Sequence, residues 1–352
     1  KIDSPIRSNE ASVSASISFP KFLGLPYSIF TGPNIPRTEV SGSFNYQDRT
    51  EYKRNIASLT YGYSGTFLKR YRFLLNIPRV SYVHLYTLDP EFKQMLERNP
   101  FMRYAYQDHL DAGVGGTLHY TTNNDVVPKT SYHFWQVNVD LSGNVISMFD
   151  RFMPRSEQGQ ALILSTPYTQ YVRGEFSVGQ TLRFGKSDAH ALSYRFLIGA
   201  GYPYGNSQAM PFEKQFYCGG ANSMRGWQAR ALGPGSQALD TSFSIPSQTG
   251  EAKLEFDVEY RMPIFWKIEG ALFAECGNVW NIRNSEPEAS VRTFYKTLAA
   301  DWGLGVRLNL DFILVRIDVG FQTYDPVAAA WYGPGKWFTG KSCVHFGVGY
   351  PF

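Results

Sequence analysis

The loop from Phe216 to Trp227 carries the side chain whose chemistry is clearest in this sequence. Its two adjacent glycines, Gly219 and Gly220, permit a backbone turn that other residues cannot adopt, and Arg225 follows them. A guanidinium is a permanent cation whose planar fork fits a carboxylate, so Arg225 is a candidate for binding an acidic group. The connection that contains it, about Pro203 to Thr249, is far longer than an ordinary loop. It therefore either has a task inside the fold or is a flexible segment with a solvated arginine.

Residue types typical of enzymes do not form a convincing constellation. Residues 335–342 match the phosphate-binding loop formally, but that motif needs a helix after it, and a strand is predicted there. The three cysteines and six histidines show no metal-ligand spacing, so neither a metal nor another cofactor is expected. We predict that the protein is not an enzyme, although spacing alone leaves open a lipase whose serine, histidine and acid meet in space.

Composition favours strands over membrane-spanning helices. Aromatic residues make up 16% of the 352 residues, and 32 are glycine. No run reaches the ~18 apolar residues that indicate a transmembrane helix. The net charge of +4 is mild, and the lysines and arginines are scattered among acids, so a nucleic-acid partner is not expected.

Alternation of apolar and polar residues recurs along the chain. In the clearest example, Glu255, Asp257, Glu259 and Arg261 each stand between apolar residues, which puts four charged side chains on one face of a strand. About 13 such strands can be identified by this period-2 pattern. Because bacterial single-chain barrels have an even number of strands, the odd count suggests that strands preceding Lys1 are missing or that one was missed.

A soluble β-sandwich would also alternate, so strand length decides between the two architectures. Most apolar faces span about 9–11 residues, which crosses a bilayer at a tilt, whereas sandwich strands have about five or six. Aromatic residues gather at the strand ends, as a membrane interface requires. We predict an all-β transmembrane antiparallel barrel in the outer membrane. Its apolar face meets the lipid bilayer and its charged face lines a wet lumen.

Loop lengths predict the orientation. If the last strand runs toward the periplasm, the long connections are external and the alternate turns are short. The long connections are 87–106, 143–167, 203–250, 281–297 and 324–342, and the short turns lie near 64–67, 185–188, 263–265 and 310–312. The first long connection is predicted to hold a helix that is capped by Asp89, begins at Pro90 and ends at Asn99.

The barrel gives Arg225 two candidate partners. Glu259 lies on the charged face of the strand after the long loop, and Glu275 is expected on the same face of the next strand. If the loop folds back into the lumen, a guanidinium between the two carboxylates would anchor it. The last strand is predicted over Val344 to Phe352, with Tyr350 and Phe352 on its outward apolar face. Its Gly347 and Gly349 remove side chains and weaken local pairing.

These features resemble the BamA/TamA superfamily of outer-membrane assembly proteins, and the TamA-like branch in particular. The similarity covers nearly the whole chain and rests on Gly219, Gly220, Arg225, Gly226, Trp227, Glu259, Glu275 and the terminal strand with Tyr350 and Phe352. The resemblance implies a sixteen-stranded barrel with a lumen-inserted sixth external loop and a weak lateral seam between the first and last strands. It also implies that Phe352 belongs to a C-terminal recognition signal. Trp227 stands where Phe or Tyr is commoner, and Glu275 where Asp is usual.

The resemblance predicts one barrel domain over residues 1–352, without the family's periplasmic POTRA domains and without its first strands. The function it implies is insertion or export of client proteins at the outer membrane, driven by folding free energy. Client outer-membrane or exported proteins are the expected partners, together with periplasmic or accessory assembly subunits. A two-partner secretion pore is the nearer alternative, and a passive porin or receptor barrel is the other.

Overall fold

The computed structural model describes residues 9–25, 36–98, 100–125, 127–239, 248–283, 286–310 and 312–352, apart from the side chains of residues 95, 98 and 100–102. Sixteen β-strands lie within these ranges, and three of them have only two residues. Thirteen long strands therefore make up the architecture, as the alternation predicted.

The long strands form one continuous antiparallel sheet in which each pairs with the next along the chain. They are β1 (Asn9–Phe19), β2 (Arg37–Asp48), β3 (Tyr52–Phe67), β4 (Tyr71–Leu88), β5 (His109–Thr121), β6 (Tyr132–Ser142), β7 (Tyr171–Phe184), β8 (His190–Pro203), β9 (Ala252–Phe265), β10 (Ile268–Trp280), β11 (Ala299–Asn309), β12 (Leu314–Asp325) and β13 (Ser342–Val348). Strands of this length suit a membrane-spanning barrel wall.

The two faces of the sheet confirm the predicted inside and outside. On β9 to β12 most of the charged side chains are buried, including Asp257, Glu259 and Arg307. The apolar residues that alternate with them are exposed, as Phe256 and Val306 show. This distribution is the reverse of a soluble protein and fits a barrel with lipid outside and a polar lumen.

Short helices occupy the long connections. They are α1 (Pro90–Arg98), α2 (Pro100–Ala105), α3 (Asn144–Ser147) and α4 (Pro334–Trp337). As predicted, Asp89 caps α1, because its Oδ2 accepts a hydrogen bond of 3.0 Å from the Glu91 amide. Asn99, the predicted end of this helix, lies outside the described residues. The helices α2, α3 and α4 were not predicted from the sequence. In the described ranges, no helix combines the length and apolar character needed to cross a membrane.

The four predicted short turns lie together at one end of the sheet, but two of them are displaced. The turn predicted near 64–67 occupies 68–70, because β3 continues to Phe67. Likewise, β9 continues to Phe265, so the next turn occupies 266–267. Leu68, Lys69 and Trp266 have positive φ values, so non-glycine residues make these turns and the sequence gives little sign of where they begin.

The last strand is shorter than predicted. β13 ends at Val348, and Gly349 follows with φ +81°, so the chain leaves the sheet there. The prediction of a strand continuing to Phe352 was therefore wrong, since a left-handed residue breaks the period-2 alternation. Among the described residues, β13 pairs with β12 and β1 pairs with β2, and no ladder joins β1 to β13.

Candidate functional site

The loop between β8 and β9, residues 204–251, is called the long loop here, and its residues 219–227 are the loop tip. Gly219 and Gly220 have φ values of +95° and +107°, as their pairing in sequence predicted. The Gly220 amide donates a hydrogen bond of 3.0 Å to the Trp227 carbonyl, which closes the tip into a compact turn. A side chain at Gly219 would place its Cβ 2.1 Å from the Gln228 carbonyl oxygen.

The Arg225 side chain is fully buried among acidic side chains of the barrel wall. Its Nε lies 2.7 Å from Glu275 Oε1, and its Nη1 lies 2.7 Å from Glu259 Oε2 and 3.2 Å from Asp318 Oδ2. The guanidinium carbon also lies 3.5 Å from the centre of the Phe273 ring, which adds a cation–π contact. One arginine thus joins the loop tip to β9, β10 and β12.

Backbone groups of the tip are bound as well. The Arg225 amide donates to Glu275 Oε2 at 2.5 Å, and the Gly226 amide donates to Asp301 Oδ2 at 2.9 Å. Gln322 Nε2 donates to the Gly226 carbonyl at 3.0 Å. His345 Nε2 lies 3.0 Å from the Arg225 carbonyl oxygen, so the tip also contacts the last strand.

Three further arginines surround the anchoring acids. Arg261 Nε and Arg307 Nη2 lie 2.7 and 2.8 Å from the two oxygens of Glu259. Arg307 Nη1 lies 2.9 Å from Asp318 Oδ1, and Arg316 also contacts Asp318. Because every one of these side chains is buried, each charge needs these partners to offset its desolvation.

An apolar cluster supports the other half of the tip. Its buried members are Phe216, Cys218, Met224, Trp227, Leu232, Val279 and Ala299. Val279 and Ala299 belong to the wall, so the cluster joins the tip to β10 and β11. The tip is therefore held both by ionic hydrogen bonds and by burial of apolar surface.

Gly320 of β12 allows the tip to approach the wall closely. A Cβ at this position would lie 2.2 Å from the Arg225 carbonyl oxygen and 2.6 Å from the Gly226 nitrogen. Both are backbone atoms, which cannot move aside as a flexible side chain can. The absence of a side chain at Gly320 is therefore a condition for this position of the loop.

The base of the long loop is held by a second set of contacts, at the end of the barrel that carries α1 and α2. Phe212 lies in an apolar cluster with Tyr52, Phe92, Leu96, Ala105 and Tyr106, which joins the loop to α1, α2 and β3. Beside it, Glu213 Oε1 lies 2.7 Å from His109 Nε2. Burial raises the pKa of Glu213, but His109 and Arg54 outweigh burial and lower that pKa to about 2. Glu213 is therefore charged at neutral pH.

The residues predicted to belong to the seam and the C-terminal signal, Gly347, Gly349, Tyr350 and Phe352, do not share one environment. Gly347 lies in β13, where a Cβ would come 2.8 Å from the Arg316 guanidinium, so its lack of a side chain makes room for this arginine. Beyond Gly349 the chain turns into the lumen: Tyr350 lies under Arg261, with 3.9 Å between guanidinium carbon and ring centre, and Phe352 lies 5.1 Å from Arg195. The prediction that both aromatics share the outward face of the last strand was wrong.

The structure thus brings together Gly219, Gly220, Arg225, Gly226 and Trp227 with Glu259 and Glu275, as the sequence analysis expected. It adds Asp301, Asp318, Arg307 and Gly320, which the sequence analysis did not assign to the site. Asp318 places a charge at an inward position between the apolar residues Ile317 and Val319, and this was the sequence signal that could have identified it as a site residue. Gly320 gave no signal beyond being a glycine in a strand.

The comparison with family models decides the relationship, because residues 6–352 match the model described as the Omp85 superfamily domain. The chain belongs to the Omp85 superfamily. As an Omp85 protein it is an integral β-barrel protein of the outer membrane. The predicted resemblance is confirmed for the superfamily, whereas the TamA-like branch stays a prediction.

One curated relative and two solved structures are similar to this chain to different degrees. Over 119 residues the Omp85 chain is 29% identical to the outer membrane protein assembly factor BamA of Neisseria meningitidis serogroup B, covering 32% of this chain and 15% of that protein. BamA from Haemophilus ducreyi lacking POTRA domains 1-3 matches with TM-score 0.64 and 11% identity, over 96% of this chain and 61% of that one. CdiB from Acinetobacter baumannii matches with a TM-score of only 0.45 and 11% identity, over 98% of this chain and 57% of that one. The chain therefore spans less than two thirds of each relative.

Proposed function

We propose that this Omp85 protein inserts client proteins into the outer membrane by offering them the free edge of β13. The observation that carries the proposal is the contrast between the anchored wall of β9 to β12 and the short strand β13 beside it. Arg225 fixes the loop tip to β9, β10 and β12, whereas β13 pairs over seven residues with β12 and, in the described ranges, with no further long strand. A rigid wall beside a short edge strand suits pairing with an incoming strand.

The free edge of β13 can be assigned to particular backbone groups. The Gly349 amide donates to the Leu314 carbonyl at 2.8 Å, and the Gln322 amide donates to the Lys341 carbonyl at 3.0 Å. Both bonds fit the same register, in which the odd-numbered residues of β13 are bonded to β12. The N–H and C=O groups of Val344, Phe346 and Val348 therefore point toward the free edge.

The backbone groups of β13 that have no strand partner among the described residues provide the driving force. Each such group costs several kcal/mol in lipid, so a client strand that pairs with them lowers the free energy of both partners. Insertion by this route consumes the folding free energy of the client and needs neither a nucleotide nor a catalytic residue. We accordingly propose a non-enzymatic role, with client barrel proteins as partners and periplasmic domains or accessory subunits delivering them.

A secretion pore is the second candidate, because the same barrel could let an unfolded chain through its lumen. The buried tip argues against passage without rearrangement, since the ion pairs of Arg225 would have to break first. A passive porin fits less well, because the long loop lies against the lumen wall where an open channel is required. The two main candidates differ in where the client ends: in the membrane or across it.

Replacing Phe346 by proline is expected to block insertion without unfolding the barrel. Proline removes the N–H that faces the free edge and leaves the ladder to β12 intact, as edge positions tolerate. The full-length natural protein would be reconstituted in liposomes with a urea-denatured outer-membrane barrel as client. Heat-modifiable gel mobility reports client folding, and we expect Phe346→Pro to reduce it to the level of protein-free liposomes.

Phe346→Ala is the matched control, because it removes the same side chain and keeps the N–H. It should insert clients at close to the parental rate. If Phe346→Pro inserted clients as fast as Phe346→Ala, edge pairing would not be the route. If instead the client became protease-protected inside the vesicles without a folded band, the protein would be a secretion pore.

A further inference from the structure

The external connection between β6 and β7 exposes a stripe of apolar side chains. It begins with α3 and continues through a 3₁₀ turn at Asp150–Phe152. Val145, Met148, Phe149 and Phe152 have exposed fractions of 67%, 75%, 54% and 70%. Their spacing of three, four and seven residues puts them on one side of a helical segment. We call residues 144–152 the apolar segment.

The apolar segment is held in place by polar contacts beneath it. At its start, the Gly143 amide donates to the Ala112 carbonyl at 2.9 Å. Tyr168 Oη donates to Asp150 Oδ1 at 2.6 Å, and Asn206 Nδ2 of the long loop donates to the Tyr168 carbonyl at 2.9 Å. The four apolar side chains are thus exposed on an ordered support, which is costly in water for an external loop.

The stripe continues the lipid-facing surface of the barrel. Leu141 near the end of β6 and Val172 near the start of β7 point outward and are 38% and 37% exposed. The apolar segment starts two residues after β6 ends, so it begins where this lipid-facing surface ends. The exposed Arg151 lies among the apolar residues, with its guanidinium carbon 4.4 Å from the centre of the Phe152 ring. An apolar face beside a cation is the pattern of helices that lie in a membrane interface.

We propose that residues 144–152 insert into the outer leaflet and anchor the barrel at the level of the lipid headgroups. The apolar side chains contact acyl chains, and Arg151 lies at the depth of the headgroup phosphates. This inference concerns the lipid surface and does not depend on the proposed function. Since the connection between β6 and β7 lies mid-way along the sheet, the anchor fixes the side of the barrel farthest from both β1 and β13.

A nitroxide label can test this contact directly. Phe149→Cys and Phe152→Cys would be made in the full-length protein with Cys276→Ser and Cys343→Ser, leaving the buried Cys218 in place. The labelled protein would be reconstituted in phosphatidylethanolamine and phosphatidylglycerol vesicles, and collision rates with oxygen and with a nickel chelate measured by power saturation. Oxygen concentrates in lipid and the chelate in water, so their ratio reports the environment of the label.

Two matched positions calibrate the result. Val139→Cys places the label on the lipid face of β6, and Glu157→Cys places it on an exposed polar turn of the same external connection. We expect labels at 149 and 152 to match position 139, with an oxygen-to-nickel ratio several-fold above that of position 157. A ratio equal to that of position 157 would overturn the proposal, and so would shielding from both reagents, which would indicate a protein contact. Val145→Cys offers a further position on the stripe if one variant fails to give the heat-modifiable band.

Discussion

Arg225→Ala is expected to lower the free energy of unfolding by about 3–5 kcal/mol, the range for removing one partner of a buried ion pair. The effect is large because Glu275 loses its guanidinium partner and faces Asp257 and Asp301 directly in the neighbouring strands. Glu259 is less affected, since Arg261 and Arg307 remain beside it. Glu275 would then be a buried carboxyl group without the guanidinium that offsets its desolvation.

The measurement is the temperature at which the purified barrel loses its heat-modifiable gel mobility. Arg225→Lys should recover only part of the loss, because an ammonium keeps the charge but cannot form the forked contacts to both Glu259 and Glu275. Arg292→Ala, at an exposed arginine in the connection between β10 and β11, is the matched control and should leave the transition unchanged. A transition in Arg225→Ala equal to that of the control would show that the anchor contributes nothing to stability.

Gly320→Ala is expected to move the loop tip away from the wall. One added methyl would overlap the backbone at Arg225 and Gly226, so either the tip or β12 must shift. Overpacking of this kind costs about 1–3 kcal/mol. We expect the upper end of that range, because the shift also lengthens the contacts of Arg225 with Glu259 and Glu275.

The stability loss in Gly320→Ala is compared with that in Gly174→Ala. Gly174 also lies within a long strand, but a Cβ there would meet no atom within 4 Å. Both variants add one methyl group within a long strand, but only the methyl group at position 320 would meet the loop tip. Chemical denaturation in detergent should separate them clearly. Equal denaturation midpoints would mean that the loop tip does not press against β12.

Much of this architecture could be predicted from the sequence, because the alternation of apolar and polar residues shows which face of each strand meets lipid. The contacts of Arg225 with Glu259 and Glu275 could also be predicted from the sequence. The paired glycines indicated a loop that turns sharply, and a closed sheet places the alternating acids in the lumen where the loop can reach them. Asp301 and Asp318 were missed for a physical reason. Alternation says that they point inward, but their height in the lumen depends on strand register, which a period-2 pattern does not contain.

The end of the chain shows a second limit of the pattern. Val344, Phe346 and Val348 point outward as alternation predicts, whereas Tyr350 and Phe352 continue the same spacing and yet face lumen arginines. Gly349 changes the direction of the backbone between them, and a glycine in a sequence does not reveal the sign of its φ. The packing of Phe212 under α1 and α2 was likewise absent from the pattern, because contacts between loops follow no period.

Amide hydrogen exchange at the loop tip tests the central claim, that Arg225 holds the long loop inside the barrel. In lipid nanodiscs, the amides of Gly220, Arg225 and Gly226 should exchange as slowly as those of β10 and β12, because all three donate hydrogen bonds in the buried site. Arg225→Ala should accelerate that exchange while leaving β6 and β7 unchanged. If the tip of the parent protein exchanged as fast as the exposed turn at 156–159, the loop would not be anchored in the lumen and the account would be contradicted.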